Sequence, residues 1–83
     1  MMIYQEIQKK LIDWLVLHRN LKGLTQVELS KLLRKNQSFV SKYENCDRNL
    51  TITEFIEICV VLECDPTIEL TGAISAVKAK RSN

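Results

Sequence analysis

Apolar residues recur at intervals of three and four positions along most of this chain, the spacing that places them on one face of an α-helix. Near the start, the pattern predicts a long helix over about residues 2–20. Its apolar positions are Ile3, Ile7, Leu11, Trp14 and Leu15. Shorter patterns of the same kind begin near Gln26, near Gln37, after Thr51 and after Asp65. The hydrophobic pattern therefore predicts about five helices and an all-α fold.

Two of these helix starts carry the sequence of a capping box. Thr25 is followed three residues later by Glu28, and Thr51 is followed three residues later by Glu54. In a capping box the hydroxyl accepts a backbone N–H bond while the carboxylate accepts another from the capping residue. We therefore expect the second and fourth helices to begin directly after these threonines, and the fourth to end near Leu62.

The other starts are marked differently. Asn36 is a good N-cap for a third helix over about residues 37–44. Asp65 and Pro66 can cap and begin a fifth helix, with Pro66 at its first position. Gly72 predicts an interruption of that helix, because glycine lowers helix stability.

The second and third helices each combine an apolar face with a polar one. In the second helix the apolar face holds Val27, Leu29, Leu32 and Leu33, which leaves Gln26, Ser30 or Lys31 outward. In the third, Phe39, Val40 and Tyr43 anchor the helix, which leaves Gln37, Ser38, Ser41 and Lys42 outward. Amide, hydroxyl and cationic side chains on a short exposed helix are the groups that read base edges in the major groove.

In these residues the chain resembles the Cro/cI-like, or Xre, family of bacterial and phage helix-turn-helix regulators, over roughly residues 10–68. The residues that carry the resemblance are Arg19, Gly23-Leu24-Thr25-Gln26, Glu28-Leu29, Gln37-Ser38, Val40-Ser41-Lys42-Tyr43-Glu44, Arg48 and Leu50. It implies a lambda-repressor-like bundle of about five helices, with the helix-turn-helix at about residues 25–44. We expect residues 1–72 to form this DNA-binding domain and residues 73–83 to form a tail.

The resemblance also implies roles for single residues. Gln26 would bind a DNA phosphate and brace Gln37, which would read an adenine or a neighbouring base. The further candidates for base contacts are Ser38, Ser41 and Lys42, and the candidates for phosphate contacts are Arg34, Lys35 and Arg48. Arg19 and Glu44 would form a partly or largely buried ion pair between the first helix and the end of the third. An ordinary solvated helix face is the plainer interpretation of the outward residues.

Four positions depart from the family pattern. Ser30 replaces a smaller residue, and Arg34 replaces the glycine that opens the turn. Arg34 implies either a strained left-handed residue, at roughly 1 kcal/mol, or a slightly different backbone. Lys35 replaces an apolar residue, and Cys46 replaces a glycine at the end of the third helix. We expect the cap there to move back to Asn45, because asparagine tolerates the left-handed conformation better.

Charge and cysteine content restrict the range of possible functions. Residues 19–48 hold seven Lys or Arg against three Asp or Glu, whereas residues 49–83 hold three against five. The cationic part is the motif itself, which suits a phosphate backbone. The three cysteines are odd in number and lack paired or histidine-flanked spacing, so neither a disulfide framework nor a zinc site is favoured.

Motifs that the sequence lacks exclude several classes of function. The sequence contains no Gly-rich phosphate loop, no ligand cluster for a metal, and no nucleophile with a paired base, so we expect no enzyme activity and no cofactor. The apolar run Leu11–Leu17 is interrupted by Asp13 and is too short to span a bilayer. We therefore expect a cytoplasmic regulator, in particular a repressor, whose main partner is double-stranded DNA.

Partners other than DNA remain open at this point. A homodimer is expected because one short recognition helix contacts few base pairs. Its candidate interface residues are Ile68, Leu70, Ile74 and Val77, with Trp14 as a further candidate. The alternative is that these residues only complete the core of the monomer and form no interface. A second hypothesis is an antitoxin or another protein-interaction module on the same fold, and a third combines toxin neutralisation with DNA binding.

Overall fold

The computed structural model describes residues 2–82, with side chains from residue 4 onward, and the regular elements in this part of the chain are all helices. The five helices are α1 (Met2–Leu21), α2 (Gln26–Leu32), α3 (Phe39–Glu44), α4 (Ile52–Leu62) and α5 (Thr67–Arg81). The long first helix packs against α3, α4 and α5, and α2 packs against α3. The predicted all-α fold is confirmed. The side chain of Ile3, predicted to face inward, lies outside the described residues.

Both predicted capping boxes are present. The Thr25 hydroxyl accepts a bond from the Glu28 N–H, and the Glu28 carboxylate accepts one from the Thr25 N–H. Thr51 and Glu54 make the same reciprocal pair at the start of α4. Each box satisfies two N–H groups that have no partner inside the helix, which fixes where α2 and α4 begin.

The fifth helix begins one residue later than predicted and continues further. Asp65 is not the N-cap, but its carboxylate accepts bonds from the backbone N–H and the hydroxyl of Thr67, the first residue of the helix. Pro66 occupies the N-cap position, so the helix starts at Thr67. The predicted interruption at Gly72 is wrong: α5 runs through it to Arg81. The predicted division between domain and tail at residue 72 therefore falls inside a continuous helix.

Helices α1 to α4 all end in the same way. In each, one residue adopts a left-handed conformation, and the next N–H reaches back to a carbonyl five positions earlier, as in a Schellman motif. The left-handed residues are Gly23 (φ 75°), Arg34 (57°), Cys46 (61°) and Glu63 (55°). The matching bonds run from Leu24 to Arg19, from Lys35 to Ser30, from Asp47 to Lys42 and from Cys64 to Cys59. Three of these four stops use a residue other than glycine.

Two expectations about these ends are thereby decided. Arg34 takes the strained left-handed option. The expected move of the α3 cap to Asn45 is wrong, because Asn45 keeps a φ of −85° and Cys46 takes the left-handed position. The two bonds that close this end, from Cys46 to Tyr43 and from Asp47 to Lys42, require the turn at residue 46.

The core lies where α1, α2, α3 and α4 meet. Its buried residues are Ile12, Leu15, Leu29, Leu33, Phe39, Val40, Tyr43, Ile58, Cys59 and Leu62. The predicted anchors of α3 are all among them. In α2 the prediction is partly wrong, since Val27 and Leu32 are exposed whereas Ser30 is fully buried. Helix α2 has only seven residues, and α3 covers only one side of it. Residues 29, 30 and 33 therefore face inward, while the side chains on either side of them stay in solvent.

Helix α5 is held differently from the rest. None of the residues Thr67–Arg81 is buried, and α1 is the helix that it packs against. Between the two helices lies a groove of about 490 Å³, lined by residues that include Leu11, Trp14 and Ala73. Three of the candidate interface residues on α5, Ile68, Leu70 and Ile74, are exposed and lie outside the monomer core, whereas Val77 is half-buried.

Candidate DNA-reading surface

The base of the helix-turn-helix is fixed by a buried ion pair. Arg19 Nε lies 2.7 Å from Glu44 Oε2, and Arg19 Nη2 lies 3.0 Å from Glu44 Oε1. The two side chains are only 11% and 5% exposed. The hydrogen bonds to Glu44 raise the pKa of Arg19. The third nitrogen of its guanidinium, Nη1, donates to the carbonyl of Leu24 at 2.8 Å. This is the pair that the resemblance implies, and it joins α1, the turn before α2 and the end of α3.

Gln26 joins the same cluster. Its amide nitrogen donates to Glu44 Oε1 at 2.8 Å. The expectation that Gln26 braces Gln37 is therefore not met, since the structure places its amide on the opposite end of α3. Glu44 accepts bonds from both Arg19 and Gln26, so a single carboxylate fixes the start of α2 relative to the end of α3.

A buried hydroxyl fixes the other end of the unit. Ser30 is 0% exposed, and its Oγ donates to the carbonyl of Gln37 and accepts from the N–H of Val40, both at 3.3 Å. Sequence reasoning expected an outward side chain here and missed this contact. The signal available was the small residue that the family usually has at this position. Ser30 ties α2 to the segment that carries Gln37.

The segment before α3 is a turn rather than helix. The predicted helix from Gln37 is wrong by two residues, because α3 begins at Phe39. Asn36 is not the N-cap of α3, a position that Ser38 occupies without a side-chain bond to the helix. The Asn36 Oδ1 instead accepts from the N–H of Ser38 at 3.0 Å and from its hydroxyl at 2.9 Å. The Phe39 N–H bonds to the carbonyl of Asn36, three residues back, so the first turn is tighter than an α-helical one.

The four candidate base-reading residues lie on or beside this short helix. Gln37 and Lys42 are exposed, and within residues 4–82 neither side chain has a hydrogen-bond or ion-pair partner. Ser38 and Ser41 are half-buried, and the Ser38 hydroxyl is already bonded to Asn36. Ser38 thus serves the turn itself. The amide of Gln37 and the ammonium of Lys42 are the groups that remain open for a ligand.

Two candidate phosphate-binding cations share one aromatic ring. Lys35 Nζ lies 5.6 Å from the centre of the Phe39 ring, and Arg48 Cζ lies 4.9 Å from it. Cations over an aromatic face are attracted by its quadrupole, so Phe39 holds both charges beside the start of α3. Arg34 is exposed at its left-handed position.

Arg48 is further held by a carboxylate that sequence reasoning did not assign to it. Its two Nη atoms donate to Glu54 Oε1 and Oε2 at 2.9 and 2.8 Å. The hydrogen bonds from Arg48, together with that from the Thr51 N–H, lower the pKa of Glu54 from 4.5 to about 2. The capping box identified Glu54 as a cap, but nothing in it indicated that the same carboxylate would also bind Arg48.

Comparison with protein families decides what this arrangement is. The sequence pattern of the helix-turn-helix family of Cro/cI-like, or Xre, regulators matches residues 17–68, from the end of α1 to the start of α5. The chain belongs to this family. Cro/cI-like helix-turn-helix domains are DNA-binding regulators of transcription, and the matched segment contains both capping boxes, the ion pair and all four candidate base-reading residues. Neither a curated protein nor a solved structure matches the chain at a significant level.

Residues 2–82 of this Cro/cI-like domain contain no feature of a metal site or a membrane span. No group of three or more metal-ligating side chains occurs there. The cysteines are free thiols in the described part of the chain, and burial raises the pKa of Cys59 to about 12. None of the helices from α1 to α5 is both long and apolar enough to cross a membrane.

Proposed function

We propose that this protein is a sequence-specific repressor that reads the major groove of double-stranded DNA with the segment from Gln37 to Lys42. The proposal rests on one observation: some side chains of this segment are buried in the core, and others are open to solvent. Phe39, Val40 and Tyr43 are buried, while the amide of Gln37 and the ammonium of Lys42 are exposed without partners among the described residues. A rigid anchor with open polar groups meets the requirement for base contacts.

The base-contact set we propose is Gln37, Ser38, Ser41 and Lys42. Gln37 and Lys42 carry most of the discrimination, since their polar atoms are open. The Ser38 hydroxyl already donates to Asn36, so its lone pairs alone can accept from a base. Ser41 is half-buried on the same helix and contacts either a base or the backbone.

The phosphate-contact set we propose is Gln26, Arg34, Lys35 and Arg48. Such contacts fix register and affinity without reading sequence. Arg34 and Lys35 are the most accessible of the four. Arg48 is oriented by Glu54 and Phe39, so it reaches a phosphate at the expense of its pair with Glu54. The amide nitrogen of Gln26 donates one N–H to Glu44, which leaves its second N–H to donate to a phosphate oxygen.

We propose that the working form is a homodimer joined through α5. One short recognition helix covers only a few base pairs, and two modules placed about one helical turn apart are the usual means of reaching specific affinity. Helix α5 makes its main contact with α1 and exposes apolar side chains to solvent. These exposed side chains support the dimer. Repression requires no more than occupation of the site, because bound protein excludes other proteins from the same DNA.

Selection of bound sequences from random duplexes tests the proposal. We expect a pseudo-palindromic site. Gln37→Ala and Lys42→Ala should each weaken binding to that site by about 1–3 kcal/mol while leaving scrambled DNA unaffected. Arg34→Ala and Lys35→Ala should weaken binding to both and reduce the salt dependence. Lys10→Ala, an exposed cation on α1, serves as the charge control and should leave specific binding nearly unchanged.

Two results would contradict the proposal. Absence of any selected sequence at low salt would exclude specific DNA binding. Equal losses on matched and scrambled DNA for Gln37→Ala would show that Gln37 does not read bases.

A further inference from the structure

The outer side of α4 is apolar where a surface helix is expected to be polar. Ile52, Ile56 and Val60 are 80%, 54% and 70% exposed and recur at every fourth position. The opposite side of the same helix supplies Ile58, Cys59 and Leu62 to the core. A helix that is apolar on both sides is normally covered on both. We call Ile52, Ile56, Val60 and Glu63, the left-handed residue that directly follows the end of α4, the α4 stripe.

Helix α5 carries a second stripe of the same length. Leu70, Ile74, Val77 and Arg81 recur at intervals of four, three and four, which places them along one side of α5. Leu70 and Ile74 are exposed, Val77 is half-buried and Arg81 is exposed. We call these residues the α5 stripe. Both stripes span eleven positions, and in both three apolar residues precede one charged residue.

The charges at the two ends are opposite. Residues 49–77 contain five Asp or Glu and no Lys or Arg, whereas residues 78–81 contain three Lys or Arg and no acid. Glu63 ends the α4 stripe, and Glu57 lies along its edge. Arg81 ends the α5 stripe, and Lys78 lies along its edge. Two α4 stripes packed on each other would place Glu63 beside a second Glu63 if parallel, or beside Ile52 if antiparallel, and neither arrangement supplies a cation. An α4 stripe packed in parallel on an α5 stripe brings opposite charges together.

We propose that the α4 stripe of one copy receives the α5 stripe of a second copy, with the two helices parallel. Ile52 then lies beside Leu70, Ile56 beside Ile74, Val60 beside Val77, and Glu63 beside Arg81. Each copy has both stripes, so in a closed dimer this contact forms twice about a twofold axis. This inference rests on the homodimer of the proposed function and names the surface that receives α5.

The existing contacts of Glu63 permit this pairing. Glu63 forms a surface ion pair with Lys22, and that pairing lowers the pKa of Glu63. The Glu63 side chain is nevertheless 75% exposed, so its carboxylate can also accept from Arg81. Exposed ion pairs contribute little to folding, so loss of the Lys22 contact would not unfold α4.

An apolar substitution with a matched control tests the stripe. Ile56→Gln replaces a side chain that is 54% exposed on α4, and Leu17→Gln replaces one that is 52% exposed on α1. Sedimentation equilibrium of each full-length variant, with helicity checked by circular dichroism, gives the dimer dissociation constant. We expect Ile56→Gln to raise it by roughly tenfold or more and Leu17→Gln to leave it unchanged.

Charge reversal tests the pairing itself. Glu63→Lys and Arg81→Glu should each weaken dimerisation, and the double variant should recover most of the loss, because the pair is restored with its signs exchanged. A stripe that serves only the monomer would give no recovery. Recovery is also not expected from Glu63→Lys combined with Lys80→Glu, since Lys80 does not belong to the α5 stripe.

Failure of this inference differs from failure of the proposed function. A monomeric wild-type protein, a normal dimer for Ile56→Gln, or no recovery in the double charge reversal would overturn the stripe pairing. Disruption by Trp14→Ala with a normal dimer for Ile56→Gln would place the contact in the groove between α1 and α5 instead. In each of these cases the DNA-reading proposal would still hold if the protein bound a single half-site and Gln37→Ala weakened that binding.

Discussion

At the scale of single residues, the position of the reading helix depends on polar groups that are buried rather than exposed. Glu44 accepts from Arg19 and Gln26, and Ser30 bridges the carbonyl of Gln37 and the N–H of Val40. Buried polar groups are costly when unpaired, so each of these contacts selects one arrangement of α2 and α3 over its alternatives.

The ion pair gives a residue-scale prediction. Arg19→Ala leaves the Glu44 carboxylate buried without its main partner and should lower the free energy of unfolding by about 3–5 kcal/mol. Such a loss is comparable with the total stability of a small domain, so partial unfolding at room temperature is expected. Chemical denaturation followed by circular dichroism measures it.

The exposed pair between Lys9 and Asp13 supplies the control. Both side chains are about 60% exposed, so Lys9→Ala should change stability little. Similar small losses for Arg19→Ala and Lys9→Ala would show that the pair with Glu44 does not stabilise the fold.

At the scale of elements, the helices are defined by their ends more than by their length. Capping boxes begin α2 and α4, and a left-handed residue ends each helix from α1 to α4. With only six residues, α3 could not persist alone, because isolated helices this short are unstable in water. Its two ends and its buried side chains hold it in place, which keeps Gln37 and Lys42 in fixed positions.

The left-handed residues other than glycine that end helices give the prediction at this scale. Cys46→Gly should raise the free energy of unfolding by about 1 kcal/mol, because glycine adopts the left-handed conformation without a Cβ clash. Asn45→Gly is the neighbouring control. Asn45 has a φ of −85°, so glycine relieves nothing there and should not stabilise. Denaturant midpoints of the two variants measure the difference. Equal or opposite shifts would contradict the role assigned to residue 46.

At the scale of the whole molecule, charge is divided between two regions. The helix-turn-helix is cationic, whereas α4 and the first part of α5 are acidic. The division directs one side of the domain towards DNA and leaves α4 for protein contact in the proposed dimer. Several of the carboxylates also serve the fold, since the pKa values of Glu28, Glu54, Glu63 and Asp65 are all lowered by their hydrogen-bond partners.

These lowered pKa values predict acid sensitivity. A carboxylate whose pKa is lower in the folded than in the unfolded chain stabilises the fold above its unfolded pKa and loses that effect as the pH falls. For Glu54 the window runs from about pH 4.5 down to about pH 2. Unfolding free energies measured across this range should fall for the wild-type protein.

Glu54→Gln isolates the contribution of one group. The variant should be less stable than wild type at neutral pH, and the difference should shrink as the pH falls below about 4.5, the ordinary pKa of Glu54. Parallel stability curves for the two proteins would show that Glu54 does not have a lowered pKa in the fold.

Local patterns were sufficient to identify the elements and the family. The three- and four-residue spacing predicted the helices, the threonine and glutamate pairs located two of their starts, and the matched motif indicated the polar segment 37–42. These features are local because capping and amphipathic spacing depend on residues within one or two turns of each other.

Contacts between distant residues were decided only in three dimensions. The tertiary structure buried Ser30, exposed Val27 and Leu32, placed Gln26 on Glu44 and bound Arg48 to Glu54, because each outcome depends on which helix approaches from outside the element. It also kept Cys46 left-handed and carried α5 through Gly72, where backbone bonds and packing on α1 outweighed the intrinsic preferences of the residues. The sequence by itself determined which segments are helical and which family they form, and packing between helices determined which side chains remain open to bind.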